Sequence, residues 1–142
     1  MADLLVNIDV DDLPRAEAFY RAAFGLAVGR RFGADAVELV GAPVPLYLLA
    51  KPAGSRAMAA SEQVRDYRRH WTPVHLDLVV EDLDAALARA LAAGAALEGE
   101  PRTLAWGRIA ALADPFGHGF CLVQFLGRGY DALIDEAGTD GA

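Results

Sequence analysis

Two short apolar segments of the chain each carry a pair of polar side chains at alternate positions. The first segment contains Asn7 and Asp9, and the second contains His75 and Asp77. Side chains two residues apart in a strand lie on the same face of the sheet. An imidazole on such a face can act as a general base or donate a hydrogen bond to a ligand. Because polar groups inside a fold are costly unless they are paired, these side chains either contact a ligand or satisfy one another, and both alternatives stay open.

Four further residues have side chains suited to binding or catalysis. Arg108 can bind an anionic group through its planar guanidinium, or it forms a salt bridge with one of the many acids. Trp106 and Tyr47 can stack on a flat ligand, and ordinary core packing is the alternative. Cys121 can act as a nucleophile where an imidazole favours its thiolate. The sequence shows no such pairing for Cys121, so we expect a small core residue there.

These positions belong to a unit that the chain contains twice. Residues 5–13 alternate between apolar and polar types, as in a strand, and residues 14–25 then place apolar side chains at helical spacing. The same order recurs in residues 75–83 and 84–94. An aspartate before each helix can cap its first amides, and a glycine after each helix can end it. These capping and terminating residues are Asp12, Asp82, Gly25 and Gly94.

Further strands after each helix complete the unit as strand, helix and two or three strands. We therefore expect one domain built from two modules. The expected boundaries are 1–142 for the single domain, 4–51 for the first module, 52–71 for a linker that can act as a lid, 72–126 for the second module, and 127–142 for a short helix near 130–136 with a mobile tail.

Composition excludes several classes of protein. The 142 residues include 13 basic and 20 acidic side chains, and the net charge of −7 has the wrong sign for binding a phosphate backbone. No apolar run reaches the roughly 18 residues of a membrane span. The segment after Met1 does not have the pattern of a secretion signal, and a single cysteine fits a reducing compartment. We expect a cytoplasmic protein that binds neither nucleic acid nor membrane.

The repeat resembles the vicinal oxygen chelate superfamily, which includes glyoxalase I, bleomycin-resistance proteins, extradiol dioxygenases and related epimerases. The motifs that carry this resemblance are Val10-Asp11-Asp12-Leu13, Ala18-Phe19-Tyr20, Phe24-Gly25-Leu26, residues 75–83, Ala93-Gly94, Trp106-Gly107 and Asp114-Pro115-Phe116-Gly117-His118. Together they span nearly the whole chain. The resemblance implies an α+β fold in which two tandem βαβββ modules form a cup of curved mixed sheets around a ligand. It also implies a homodimer.

Metal-dependent members of the superfamily place one ligand on the first strand and one on the last strand of each module. Carried over residue by residue, these positions fall on Leu5, Tyr47, His75 and Cys121. Only His75 is a usual ligand at its position, and Cys121 stands where a carboxylate is normal. Two donors are too few for a divalent ion, so we expect no catalytic metal. A carboxylate from a shifted position, Asp77 or Asp9, keeps a metal site conceivable.

The resemblance and these residues lead to two main hypotheses. The first is a metal-independent protein that binds a small polar or aromatic organic molecule in its cup, through residues drawn from Asn7, Asp9, Tyr47, His75, Asp77, Trp106, Arg108 and Cys121. The second is an enzyme: a lyase, isomerase or dioxygenase with His75 as a metal ligand, or a metal-free acid–base catalyst. The catalytic candidates are His75, Asp77 and Cys121. A pure interaction module is disfavoured by the polar residues expected in the cup.

Overall fold

The computed structural model of the chain describes residues 1–134, and its first half is a complete βαβββ module. The elements are β1 (Val6–Val10), α1 (Leu13–Phe24), β2 (Ala27–Phe32), β3 (Ala36–Val40) and β4 (Leu46–Ala50). The strands form a sheet in the order β1-β4-β3-β2. β1 and β4 run parallel, and the other pairs are antiparallel. The tandem order expected from the sequence is thus present in the first half.

The second half repeats this order with one more strand. Its elements are β5 (Leu76–Val79), α2 (Leu83–Ala93), β6 (Ala96–Leu97), β7 (Arg102–Leu104), β8 (Gly107–Ala113) and β9 (Gly119–Phe125), followed by a short 3₁₀ helix (Gly129–Leu133). The sheet order is β5-β9-β8-β6, and β7 also pairs with β8. Two helices with mixed sheets of four and five strands confirm the predicted α+β class. The C-terminal helix expected near 130–136 is this 3₁₀ turn, and residues 135–142 lie outside the described residues.

The caps form as the sequence predicts. The Asp12 carboxylate accepts from the backbone N–H of Arg15 at 3.1 Å, and that of Asp82 accepts from Ala85 at the same distance. Each contact satisfies one of the amides that a helix start leaves unpaired. Gly25 ends the first helix with a φ of 65°, a left-handed conformation that favours glycine. The two helices therefore begin and end at positions that the repeat specifies.

The core lies on one face of both sheets. Val10 and Leu48 are fully buried there, with Val6 and Ile8 packed against the same cluster. The two helices contact each other and cover this face. Strand alternation therefore turns Asn7 and its neighbours at alternate positions toward the opposite face. We call this opposite face of the two sheets the cup face.

Hydrogen bonds from a buried turn hold the two modules together. The Tyr20 hydroxyl of α1 donates to the Asp114 carboxylate in the β8–β9 turn. Asp114 also accepts from the backbone N–H groups of Phe116 and His118, at 2.8 and 2.9 Å. The Nε2 atom of His118 lies 2.7 Å from the Asp9 carbonyl oxygen, so it is the donor in that contact. The turn of the second module is thus fixed to the first module.

The linker 52–71 is tied to both modules. Arg65 donates from Nε to Asp9 at 2.7 Å, and the Tyr67 hydroxyl donates to the Lys51 carbonyl at 2.7 Å. Arg69 forms a bidentate ion pair with Glu98 in the second module. At Gly117, with φ of 87°, a Cβ would stand 2.5 Å from the Tyr67 carbonyl oxygen, so only glycine fits. These contacts fix the linker against both modules.

Candidate functional site

On the cup face of the first sheet, three polar side chains satisfy one another. The Tyr47 hydroxyl donates to Glu38 Oε2 at 2.6 Å. Arg30 donates to both Glu38 oxygens, at 3.1 and 2.8 Å, and also to the Tyr47 oxygen at 2.8 Å. Gly29 makes room for this arrangement, because a Cβ there would lie 2.5 Å from Glu38 Oε1. We call Arg30, Glu38 and Tyr47 the first-sheet triad.

Charge pairing keeps the acid of this triad ionised. Hydrogen bonds from Arg30 and then from Tyr47 lower the pKa of Glu38 to about 2. The Glu38 carboxylate in turn raises the pKa of Tyr47, because its negative charge and hydrogen bond favour the neutral phenol. Asn7 is aligned with Tyr47 in the neighbouring strand. The Tyr47 hydroxyl is therefore neutral and already donates its hydrogen bond to Glu38, and Asn7 lies beside Tyr47 in the next strand.

On the cup face of the second sheet, His75, Asp77 and Cys121 come together. One possible ligand atom from each lies within 4.8 Å of the other two. His75 Nε2 is 3.3 Å from Asp77 Oδ1, and Asp77 is aligned with Cys121 across the parallel pair β5–β9. Burial and then the negative charge of Asp77 raise the pKa of the Cys121 thiol. A thiol in that state is a poor nucleophile near neutral pH.

A cavity between β1 and β5 connects the two modules. It measures about 510 Å³ and is lined by Asn7 and Asp9 from the first module and by His75 from the second. It extends to Tyr20 and Phe24 of α1. We call it the cup cavity. Both of its walls come from one chain, so one copy of the chain supplies residues from both sheets.

A smaller cavity adjoins it over the second sheet. About 200 Å³ in volume, it is lined by His75, Cys121, Glu98 and Trp71. His75 therefore faces both cavities. The Trp71 indole is exposed although it borders this space. The arrangement presents hydrogen-bonding groups and an aromatic surface to the same volume.

The structure does not bring Arg108 or Trp106 to these cavities. Arg108 lies on the helix-facing side of β8, where its two terminal nitrogens donate to the Asp84 carboxylate of α2, each at 3.1 Å. This is the salt-bridge alternative. Trp106 packs against Phe125 and Tyr130, with ring centroids 6.0 and 5.1 Å apart. Strand alternation explains the position of Arg108, because it shares its face with the buried positions 110 and 112.

Asp9 reaches the cup cavity but is already engaged. Its carboxylate accepts from Arg65, whose side chain is mostly buried, and its carbonyl accepts from His118.

The sequence alone did not single out Arg30, Glu38 or Trp71 as site residues. Glu38 carried a usable signal, since it is an acid inside the apolar strand β3.

The superfamily's usual metal site fits these residues only in part. Leu5 is a hydrocarbon at one ligand position, and the Tyr47 hydroxyl is bonded to Glu38. The first module therefore offers no free donor at either position. The second module offers an imidazole, a carboxylate and a thiol close together, a donor set that zinc accepts. The residues fit a three-donor site on one sheet rather than a set shared between the two modules.

The sequence of this chain matches the model of the glyoxalase-like domain over residues 5–123, and the chain belongs to that family. It is 36% identical over 136 residues to the anthracycline biosynthesis protein DauV of Streptomyces sp. strain C5, covering 93% of this chain. The chain spans only 44% of the length of DauV. None of the helices within residues 1–134 is long and apolar enough to cross a bilayer.

Solved structures share the fold at low identity. A glyoxalase/bleomycin resistance protein/dioxygenase family enzyme from Burkholderia phytofirmans superposes with a TM-score of 0.69 at 22% identity, covering 88% of this chain and all of that one. A mutant of the fosfomycin resistance protein FosX of Listeria monocytogenes, solved with Mn(II) and a dihydroxypropylphosphonic acid, superposes with a TM-score of 0.66 at 19% identity, covering 87% of this chain and 90% of that one. These likenesses confirm the two-module fold that the repeat implied.

Proposed function

We propose that this chain binds a small polar or aromatic organic molecule in the cup cavity without the catalytic metal usual in its superfamily. The observation that carries this proposal is the first-sheet triad: Tyr47, at a metal-ligand position, is bonded to Glu38 and Arg30 instead. Leu5 stands at the other first-module position. A metal held between the sheets would lack half of its donors.

The cup cavity supports the binding of a small molecule by its size and lining. Its volume of about 510 Å³ lies within the usual range for ligand sites. Asn7 and His75 supply polar groups that can orient a ligand, and Phe24 and Leu49 supply apolar surface. Small-molecule binding sites are typically apolar cavities that contain a few polar groups.

The aromatic part of the proposal rests on two observations. The Trp71 indole is exposed next to the space that His75 faces, and an exposed ring there can stack on a flat ligand. DauV is by name a protein of anthracycline biosynthesis. From this name we propose only a class of ligand for this chain, namely a planar polycyclic aromatic molecule.

Binding of 2-hydroxyanthraquinone, measured by isothermal titration calorimetry, tests the proposal. We expect saturable binding of one molecule per chain, weakened about tenfold in His75→Ala and in Asn7→Leu, since a lost hydrogen bond is worth about 1.4 kcal/mol. Trp106→Phe is a matched control, because Trp106 lines neither the cup cavity nor the smaller cavity beside it. Equal affinity in all the variants would place the molecule elsewhere and reject the proposal.

A second candidate function is a metal-dependent lyase, isomerase or dioxygenase, favoured by the cluster of His75, Asp77 and Cys121. Equilibrium dialysis with Zn²⁺ tests it. One equivalent retained by the wild type and lost in both His75→Ala and Cys121→Ser would support this candidate. Retention unchanged by either substitution, or no retention by the wild type, would reject it.

We also propose that the chain forms a homodimer. Exposed large apolar side chains support this, because Trp71, Val74 and Leu5 are 76%, 82% and 52% exposed. Light scattering on a size-exclusion column distinguishes a mass of 15.1 kDa from twice that value. A mass of 15.1 kDa at micromolar concentration would reject the dimer.

A further inference from the structure

A second large cavity lies between β5, the β3–β4 loop and the two helices. It measures about 420 Å³ and is lined by Val6 and Leu78 from the strands, Phe24 from α1, Ala86 from α2 and the β3–β4 loop 41–44. Val6 and Leu78 belong to the set of strand residues that pack toward the core. We call this the rear cavity.

The rear cavity reflects a difference between the two modules. Aligning the repeats at Asp12 and Asp82 places Ala90 at the position of Tyr20. In α1, Tyr20 projects toward the β8–β9 turn and bonds Asp114. Ala90 of α2 has no hydroxyl, so it cannot make the equivalent hydrogen bond to the β3–β4 loop.

The β8–β9 turn and the equivalent β3–β4 loop also differ in the size of their side chains. The β8–β9 turn carries Phe116 and His118, and His118 bonds the Asp9 carbonyl of the first module. The equivalent β3–β4 loop begins with Gly41, Ala42 and Pro43, and these small side chains stop short of filling the space above α2. Small residues in α2 and in this loop thus border the rear cavity, whereas Tyr20 and His118, which border the cup cavity, make hydrogen bonds between the modules.

The lining of the rear cavity is apolar with one available cation. Arg89 lies on α2 at the edge of the cavity. Within residues 1–134 it makes no ion pair or side-chain hydrogen bond, unlike Arg108, which is paired with Asp84. The other charged residue of the lining is Asp77, and its carboxylate contacts His75 on the cup face. An apolar space bordered by an unpaired guanidinium suits a molecule that is apolar at one end and anionic at the other.

We propose that the rear cavity is a second ligand site, which takes an amphipathic organic anion. Its ring system or alkyl chain lies against Phe24, Leu78 and Ala86, and its carboxylate or sulfonate meets Arg89. The site differs from the cup cavity in Ala86, Arg89 and the loop 41–44, which do not line the cup cavity, and in its preference for negative charge. Val6, Phe24, Leu76 and Leu78 line both cavities, so they form the wall between the two.

Fluorescence titration with 1-anilinonaphthalene-8-sulfonate tests this proposal directly. We expect saturable binding of one molecule per chain, at least fivefold weaker in Arg89→Gln because the anion loses its partner. Ala42→Trp should abolish it, since an indole on this exposed loop would occupy the mouth of the cavity. Decanoate should displace the dye, and decyltrimethylammonium, with the same chain and the opposite charge, should not.

Matched controls separate this site from the cup. Arg128→Gln removes another exposed arginine and should leave the dye affinity unchanged. His75→Ala and Asn7→Leu should also leave it unchanged, while both weaken 2-hydroxyanthraquinone. Near-ultraviolet circular dichroism verifies that each variant keeps its packing. Dye binding that survives Ala42→Trp, or that falls with His75→Ala instead of Arg89→Gln, would overturn the proposal whatever the outcome for the cup.

Discussion

His75 and Asp77 lie on the same face of the chain entering β5, with Nε2 of the imidazole 3.3 Å from Oδ1 of the carboxylate. Both side chains are partly exposed, by 48% and 38%, and His75 lines the cup cavity. Asp77 is also aligned with Cys121 in the neighbouring strand. The second module therefore presents a connected set of polar groups. The first module has its own set internally paired in the first-sheet triad.

The rate at which Cys121, the only cysteine of the sequence, is alkylated tests the cluster of His75, Asp77 and Cys121. Burial and the Asp77 charge raise the pKa of Cys121, so we expect its alkylation by iodoacetamide at pH 8 to be slower than that of free cysteine. Asp77→Asn removes the negative charge and should accelerate the reaction. Burial, the larger cause, persists in that variant, so its rate should stay below that of the free amino acid.

Asp82→Asn serves as the control for Cys121 alkylation, because it removes a carboxylate from the helix cap rather than from the cluster. An equal acceleration by both substitutions would show that the cluster geometry is wrong. Ligand in the cup should protect Cys121 from alkylation only if it also occupies the smaller cavity that this thiol lines.

The first-sheet triad should make the stability of the fold depend on pH. Hydrogen bonds from Arg30 lower the pKa of Glu38 from 4.5 to about 2 in the folded chain. A lowered acid pKa stabilises the fold above pH 4.5, and this contribution is lost as the pH falls toward 2. The difference in thermal midpoint between the wild type and Glu38→Gln should therefore shrink between pH 6 and pH 2. A difference that stays constant with pH would contradict the triad.

The buried contact between Tyr20 and Asp114 should contribute strongly to stability. Tyr20→Phe removes the hydroxyl and leaves a buried carboxylate oxygen without its partner, so we expect a loss of about 1–3 kcal/mol in the free energy of unfolding. Urea denaturation measures this loss. Tyr130→Phe, at a half-exposed ring, should cost much less. Equal costs for the two variants would contradict the role of Tyr20 in holding the modules together.

Much of this fold could be predicted from the sequence because its signals are local. The caps at Asp12 and Asp82 and the alternation through Val6 and Ile8 depend on residues close together in the chain, and all of these are confirmed. β2 was harder to predict, since its residues are mostly exposed and include two arginines. The two-residue strand β6 is too short for any periodicity.

The site was less predictable because its contacts join distant segments. Alternation places Arg108 on the same face as the buried positions 110 and 112, but the pairing with Asp84 depends on how α2 lies against the sheet. The bond between Arg65 and Asp9 joins the linker to β1 across 56 positions of sequence. No local pattern specifies such pairs. The same holds for the cavities, which arise from the packing of both modules.

Arg108 should be dispensable for binding in the cup. Its guanidinium is held by Asp84 on the helix-facing side, away from Asn7 and His75. We expect Arg108→Gln to leave the dissociation constant of 2-hydroxyanthraquinone unchanged within twofold, as measured by calorimetry beside His75→Ala. A tenfold loss in Arg108→Gln with an unchanged circular dichroism spectrum would return Arg108 to the ligand site.

The central claim is that the cup binds an organic molecule without a metal. The most direct measurement is the affinity of 2-hydroxyanthraquinone for the chain after exhaustive dialysis against EDTA, before and after one equivalent of Zn²⁺ or Mn²⁺ is added. We predict the same affinity in all three states, because in the proposed site Asn7 and His75 bind the ligand through their own polar atoms. Binding that is absent from the dialysed chain and restored by either ion would contradict the claim and favour the metal-dependent alternative.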